Sequence, residues 1–285
     1  MKTGTSSLHR YLDLHPEVGM SGAKELNFFL PANANEGAGT AARTDRAALL
    51  AERSNGSRGL RWYESQFPEA RIRGESSVAY SFPWFHGVAG AMASALDEPR
   101  LVYVVRDPIE RMLSHRSQFA RRDPRPAAEA LLDENAPYLQ ASRYATALAP
   151  FLEAFGRDRL LIVDQARLRS EREETLSRIL RFLELDPAPV LASPALAEES
   201  NVSAGKGRAF GIAERARASG AGAAVAARVP RGLRSRVADS LRRDDAGGNA
   251  ELLTAEQRAH LLGVLEPEIA GIERLTNWDL SAWRE

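Results

Sequence analysis

Residues 101–110 read L-V-Y-V-V-R-D-P-I-E, and this stretch decides the fold class. Its first five residues are continuously apolar and mostly β-branched, as in a strand buried on both faces of a parallel sheet. Asp107 then suits the N-cap of a helix, Pro108 the first helical position and Glu110 the acid of a capping box. The stretch therefore predicts a strand, a sharp turn and a helix. Arg106 falls at the carboxyl end of the strand, where ligands of open α/β sheets bind.

A turn rich in small hydroxyl residues opens the chain. Residues 2–7 read K-T-G-T-S-S and lead into a helix with Leu8, Tyr11 and Leu12 on its apolar side. Backbone N–H groups of such a turn, together with the positive end of the helix, can surround an anion. The order of residues differs from the G-x-x-x-x-G-K-[ST] loop of nucleotide triphosphatases. We therefore expect an anion site of another kind, formed by Lys2, Thr3, Gly4, Thr5, Ser6 and Ser7.

A second anion site is predicted around Arg106. Ser114 follows eight residues later, two turns along the predicted helix, and would face the same crevice. An arginine fork with a hydroxyl suits a terminal phosphate. The alternative without function is that Arg106 pairs with a nearby carboxylate and Ser114 faces solvent.

The two motifs, K-T-G-T-S-S-L-x-x-x-L-x-x-H-P and V-V-R-D-P-I-E-R-M-L-S-H, together resemble the sulfotransferases that use 3′-phosphoadenosine 5′-phosphosulfate (PAPS). Residues 24–29, K-E-L-N-F-F, resemble an element of the branch that acts on carbohydrates, and residues 143–185 match a later helix–strand–helix run. Residues 201–208 resemble a late segment that closes over the nucleotide. The resemblance implies that Lys2, Gly4, Thr5 and Ser6 bind the 5′-phosphosulfate, that Arg106 and Ser114 bind the 3′-phosphate, and that Lys206, Gly207 and Arg208 also contact PAPS.

The resemblance also implies the catalytic groups. Lys2 would stabilise charge on the bridging oxygen, and Glu25 would take the proton of the acceptor hydroxyl. Phe28 and Phe29 beside Glu25 would remove the carboxylate partly from water, whereas Lys24 would favour its charged form. The alternative is that Glu25 is only a surface ion-pair partner of Lys24. His86 and His115 are alternative bases. Glu75 and Ser76 are expected to line the acceptor cleft, although the family often carries Lys and Thr in that turn.

Composition limits the other classes of function. The 285 residues contain 38 Lys and Arg against 38 Asp and Glu, which argues against nucleic-acid binding. There is no cysteine, and no cluster of His, Asp and Glu has the spacing of metal ligands, so we expect no metal. No apolar run is long enough to span a membrane, and no signal peptide is evident, which favours a cytoplasmic enzyme. The oligomeric state stays open.

Strand–helix alternation predicts an α/β fold with three layers and a mostly parallel sheet. Residues 1–208 would form the PAPS-binding core, and residues 209–285 an Arg- and Ala-rich helical or flap segment with a final helix on the core. Thr254 and Gln257 form a capping box for that helix. A phosphate loop normally follows a strand, so the first strand is expected to be missing ahead of Lys2.

The sequence thus predicts a sulfotransferase acting on a hydroxyl of a carbohydrate, glycolipid or small metabolite. Two alternatives remain. One is a nucleotide-binding protein that has lost catalysis, and the other is a kinase-like enzyme, although the G-K-[ST] loop that it requires is absent from the sequence.

Overall fold

The computed structural model describes residues 3–31, 53–120, 123–196 and 253–285. Residues 1–192 and 253–285 belong to one compact unit, and residues 193–252, of which 193–196 are described, to another. The predicted domain boundary at residue 208 lies outside the described ranges, as do Met1 and Lys2, the first residue of the loop.

The sheet residues form two parallel pairs. Strand β1 (Val18–Met20) pairs with β2 (Ile72–Gly74), and β3 (Leu101–Val105) pairs with β4 (Leu160–Asp164). The predicted α/β class and parallel pairing are confirmed. The expected single sheet is instead two two-stranded sheets within the described residues. Residues of both pairs, including those of β2 and β3, line one cavity of about 710 Å³.

Helices surround these strands in the order that the sequence predicts. The helices of the described residues are α1 (Thr5–Leu12), α2 (Leu60–Glu64), α3 (Val88–Ala95), α4 (Pro108–Phe119), α5 (Ala127–Leu132), α6 (Pro137–Gln140), α7 (Tyr144–Phe155), α8 (Gln165–Ser170), α9 (Arg172–Phe182), α10 (Ala188–Leu191) and α11 (Ala255–Thr276). The sequence pattern predicts a helix over residues 83–96, but α3 is shorter. It begins after Gly87, which has a φ of 79° and turns the chain into the helix.

The turn after β3 forms as predicted, with one difference. Asp107 caps α4 by accepting a hydrogen bond from the backbone N–H of Glu110 at 2.8 Å. The carboxylate of Glu110 was expected to complete a capping box. It instead accepts a hydrogen bond from Nη2 of Arg106 at 3.2 Å, because Arg106 lies one helical turn before it.

An aromatic core fixes the segment that carries Glu25. Phe28 stacks on Tyr63 with ring centroids 4.6 Å apart, and Phe29 makes edge contacts with Tyr63 and Tyr80. All four side chains are buried. The rings therefore anchor residues 26–30 to α2 and to the turn that follows β2.

The last helix packs on α7. Leu261, Leu265, Ile269 and Ile272 are buried, as their spacing predicts, and Thr254 with Gln257 forms the predicted capping box. Glu268 also joins the two helices by hydrogen bonds. Its carboxylate accepts one from the backbone N–H of Thr146 at 3.0 Å and one from the hydroxyl of Thr146 at 2.6 Å. A carboxylate of α11 thus caps the first turn of α7.

Candidate active site

The hydroxyl-rich loop forms a left-handed turn into α1. Gly4 has a φ of 87°, a conformation that favours glycine, and its carbonyl accepts hydrogen bonds from the N–H groups of Ser7 and Leu8. Thr3 is buried, whereas the side chain of Ser6 is exposed at the opening of the loop. The local geometry is that of a helix N-terminus able to receive an anion.

The carboxyl ends of β3 and β4 lie beside this loop. A methyl group added to Gly4 would lie 3.4 Å from Cγ of Gln165, the first residue after β4. Asp164 and Val105 are partners in the strand pair, so Gln165 and Arg106 follow paired residues at the same edge. The structure therefore brings the Arg106 turn and the phosphate loop to one side of the sheet. Gln165 was not anticipated, because only the fold brings it to the loop.

Lys24 joins the phosphate loop to Glu25. Its Nζ donates hydrogen bonds to Oγ of Ser6 at 2.8 Å and to Oγ1 of Thr5 at 3.1 Å. The same Nζ lies 3.9 Å from Oε1 of Glu25. Burial lowers the pKa of the Lys24 ammonium, while the charge of Glu25 opposes that shift. Lys24 was expected to act only on Glu25, and nothing in its local sequence pattern indicates these two hydrogen bonds.

Glu25 and its neighbours line a small polar cleft. The cleft has a volume of about 420 Å³ and is lined by Lys24, Glu25, Asn27, Arg53, Ser54 and Asn55. Glu25 is 36% exposed, in a left-handed conformation with a φ of 63°. Phe28 and Phe29 were expected to flank the carboxylate, but their rings pack in the aromatic core.

Hydrogen bonds between two loops shape the polar cleft. Asn55 donates from its amide nitrogen to the carbonyl of Leu26 at 2.9 Å, and from its backbone N–H to the carbonyl of Asn27 at 3.3 Å. Asn27 is only 4% exposed, and its Oδ1 has no hydrogen-bond partner among the described residues. A buried amide oxygen without a hydrogen-bond partner costs stability, so Asn27 is a strained point beside the polar cleft.

Glu75 and Ser76 do not line the polar cleft. Glu75 accepts hydrogen bonds from the hydroxyls of Tyr63, Tyr80 and Ser77, and burial raises its pKa despite these bonds. Ser76 bonds to the ring of His9 at 3.1 Å. Both residues line the larger cavity instead, and their expected role at the acceptor site stays a prediction.

The remaining predicted site residues are placed as follows. Ser114 lies on α4, partly buried, two turns after Arg106. His115 is fully buried against Phe119 and Tyr138, where no acceptor can reach it, so it does not serve as the base. His86 is exposed in the turn before α3. The residues Lys2, Lys206, Gly207 and Arg208 lie outside the described ranges.

The described residues also bear on metal and membrane binding. Within the four described ranges, no three side chains of His, Asp or Glu come together in a way that could hold a metal ion. In the same ranges, no helix is both long and apolar enough to cross a lipid bilayer.

The fold and the site define an α/β protein with a hydroxyl-rich loop at a helix N-terminus. A family model described as "Sulfotransferase family" matches residues 1–189, and the chain belongs to this family. A crystal structure of a sulfotransferase from Alicyclobacillus acidocaldarius shares the fold, with a TM-score of 0.64 and 20% sequence identity, covering 100% of this chain and 95% of that one.

Two curated relatives are similar over the same region. Heparan sulfate glucosamine 3-O-sulfotransferase 3A1 of Mus musculus is 29% identical over 198 residues, which cover 65% of this chain and 44% of that protein. Bifunctional heparan sulfate N-deacetylase/N-sulfotransferase 1 of Caenorhabditis briggsae is 27% identical over 210 residues, covering 66% of this chain and 22% of that protein. The match thus spans less than half the length of either relative.

Proposed function

We propose that this protein transfers a sulfuryl group from PAPS to a hydroxyl of a carbohydrate, glycolipid or small metabolite. The observation that carries the proposal is that one side chain contacts both the loop and the carboxylate: Lys24 donates hydrogen bonds to Thr5 and Ser6 and lies 3.9 Å from Glu25. Donor site and base are thereby adjacent, as direct transfer between two substrates requires. Membership of the sulfotransferase family and the two heparan sulfate relatives support the reaction and a carbohydrate acceptor.

In this mechanism the protein positions groups and stabilises charge. The acceptor oxygen forms a bond to sulfur while the bond between sulfur and the bridging phosphate oxygen breaks. The electron pair of the broken bond stays on adenosine 3′,5′-bisphosphate, and the proton of the acceptor passes to the carboxylate of Glu25. Lys2 would act at the bridging oxygen, and Arg106 with Ser114 would hold the 3′-phosphate. The reaction as written needs no metal ion.

The polar cleft is the proposed acceptor site. Its lining of amides, a hydroxyl, two cations and a carboxylate suits a ligand with several hydroxyl groups. Glu25 lies in this lining and is exposed enough to reach an acceptor.

Calorimetric titration with adenosine 3′,5′-bisphosphate and with ATP tests the donor. We expect the bisphosphate to bind more tightly, because ATP lacks the 3′-phosphate. Arg106→Ala should lower the affinity for the bisphosphate by roughly tenfold to a hundredfold, which is the contribution of a charge-assisted hydrogen bond. It should leave the affinity for ATP nearly unchanged. Arg159→Ala is the matched control, since Arg159 lies just before β4 at the opposite edge of the sheet. Equal losses for both nucleotides in Arg106→Ala would contradict the assignment.

Transfer of labelled sulfate from PAPS to a panel of glycans tests the catalytic step. Glu25→Gln should retain affinity for the bisphosphate and lower kcat by about 10² to 10⁴, the usual contribution of a general base. Unchanged turnover would place the base elsewhere. Bisphosphate binding without transfer by the wild type would favour the non-catalytic alternative, and preference for ATP the kinase-like one.

A further inference from the structure

Lysine is rare in this chain and is placed selectively. Of the 38 basic residues, three are lysines, at positions 2, 24 and 206, and the other 35 are arginines. Lys2 and Lys206 belong to segments assigned to the donor from their resemblance to the family. An ammonium is a compact charge with freely rotating donors, whereas a guanidinium is broad and planar. Lys24 is therefore a position where the chain departs from its usual cation.

The position of Lys24 lies on the path of the transferred group. Its Nζ touches the hydroxyls of Thr5 and Ser6, which hold the donor side, and faces Oε1 of Glu25, which holds the acceptor side. The side chain is 25% exposed, so the charge is partly removed from water and interacts more strongly with neighbouring anions. The sulfuryl group must move from the donor loop to an acceptor at the base, so a side chain between the loop and the base lies beside its path.

We infer that Lys24 is a catalytic residue that binds the sulfuryl oxygens during transfer. The inference rests on the proposed function. When PAPS binds, the ammonium exchanges its hydrogen bonds to Thr5 and Ser6 for hydrogen bonds to the non-bridging oxygens of the sulfuryl group. Negative charge on these oxygens persists while the sulfur moves from the bridging oxygen to the acceptor oxygen. Lys24 remains protonated throughout, and the acceptor proton goes to Glu25.

A second effect follows from the distance to Glu25. The ammonium and the carboxylate attract each other at 3.9 Å, so that both side chains lie at the mouth of the loop before substrate arrives. Sulfuryl oxygens then compete for the ammonium and release the carboxylate to the acceptor hydroxyl. Lys24 thus couples donor binding to the availability of the base.

The test compares two nucleotides that differ only in the sulfuryl group. Calorimetry measures the affinity of wild type and of Lys24→Gln for PAPS and for adenosine 3′,5′-bisphosphate, without any acceptor. Lys24→Gln should lower the affinity for PAPS about tenfold, the effect of losing a charged hydrogen-bond donor. It should change the affinity for the bisphosphate less than twofold. With an acceptor present, kcat should fall by about 10². Thermal unfolding should shift by less than about 4 °C, since a partly exposed pair at 3.9 Å contributes little to stability.

Arg181→Gln is the matched control. It removes one exposed cation from the last turn of α9 and should leave both affinities unchanged within about twofold, because an exposed charge outside the loop is screened by water and salt. Equal weakening of both nucleotides by Lys24→Gln would make Lys24 an anchor of the 5′-phosphate and overturn the inference. Unchanged affinity for PAPS would overturn it as well. Failure of the wild type to bind either nucleotide would overturn the proposed function itself.

Discussion

Two glycines of α11 should respond in opposite directions to replacement by alanine. Gly271 is buried against α7, and a methyl group added there would lie less than 3.0 Å from Cβ of Ala145. Gly263 lies on the exposed face of the same helix, with nothing within 4 Å of an added methyl group. The intrinsic gain in helix propensity is the same at both positions, about 1 kcal/mol, so only packing distinguishes them.

The magnitudes follow from these contacts. Overpacking typically costs about 1–3 kcal/mol, and the upper end applies at Gly271 because the opposing atom belongs to a short side chain that cannot move aside. Gly271→Ala should therefore lower the free energy of unfolding by about 2 kcal/mol, whereas Gly263→Ala should raise it by up to about 1 kcal/mol.

Urea unfolding followed by circular dichroism measures both variants. A difference of about 3 kcal/mol between them corresponds to a shift in the unfolding midpoint on the order of 1 M or more. The double variant Gly271→Ala with Ala145→Gly removes the opposing methyl group and should recover most of the lost stability. Equal stabilisation by both single substitutions would show that α11 does not approach α7 in this way.

Two further predictions concern carboxylates. Glu268→Gln should lower the free energy of unfolding by about 1–2 kcal/mol, because the first turn of α7 loses its charged acceptor; a double-mutant cycle with Thr146→Val should show non-additivity of about 1 kcal/mol, and strict additivity would contradict the cap. Hydrogen bonds from Arg125 lower the pKa of Asp123 from 3.8 to about 2. Because this pKa is depressed in the folded state, the contribution of Asp123 is complete above its unfolded pKa and is lost as the pH falls towards 2. The stability difference between wild type and Asp123→Asn should therefore shrink between about pH 5 and pH 3, and a constant difference would refute the assignment.

Local patterns predicted the elements that their own residues determine. The apolar run of β3, the cap at Asp107 and the capping box of α11 all depend on neighbours within a few positions, and each is present. Predictions that depended on side-chain direction were less secure. Glu110 had two partners within one turn, the backbone of Asp107 and the side chain of Arg106, and its carboxylate bonds to Arg106.

Contacts between distant segments could not be deduced from the sequence. Asn55 reaches the carbonyl of Leu26, and Gln165 approaches Gly4, although 29 and about 160 positions separate the partners. Lys24 lies 18 residues from Ser6, and its adjacency to Glu25 suggested an ion pair rather than a bond to the phosphate loop. A short motif fixes which residue types are present, but the packing of segments decides which atoms meet.

The division of the described strands into two pairs has a consequence for local stability. Strands β1 and β2 share three residue pairs, whereas β3 and β4 share five, and β4 is almost wholly buried. Amide hydrogens of the two pairs should therefore exchange with solvent as separate cooperative units, those of β1 and β2 faster. The pair β3–β4, which leads to Arg106, would stay folded while the pair β1–β2, whose first strand precedes Glu25 in the chain, unfolds locally. On the proposed function, the sulfated product would then leave before the spent adenosine 3′,5′-bisphosphate, which PAPS must replace before the next transfer.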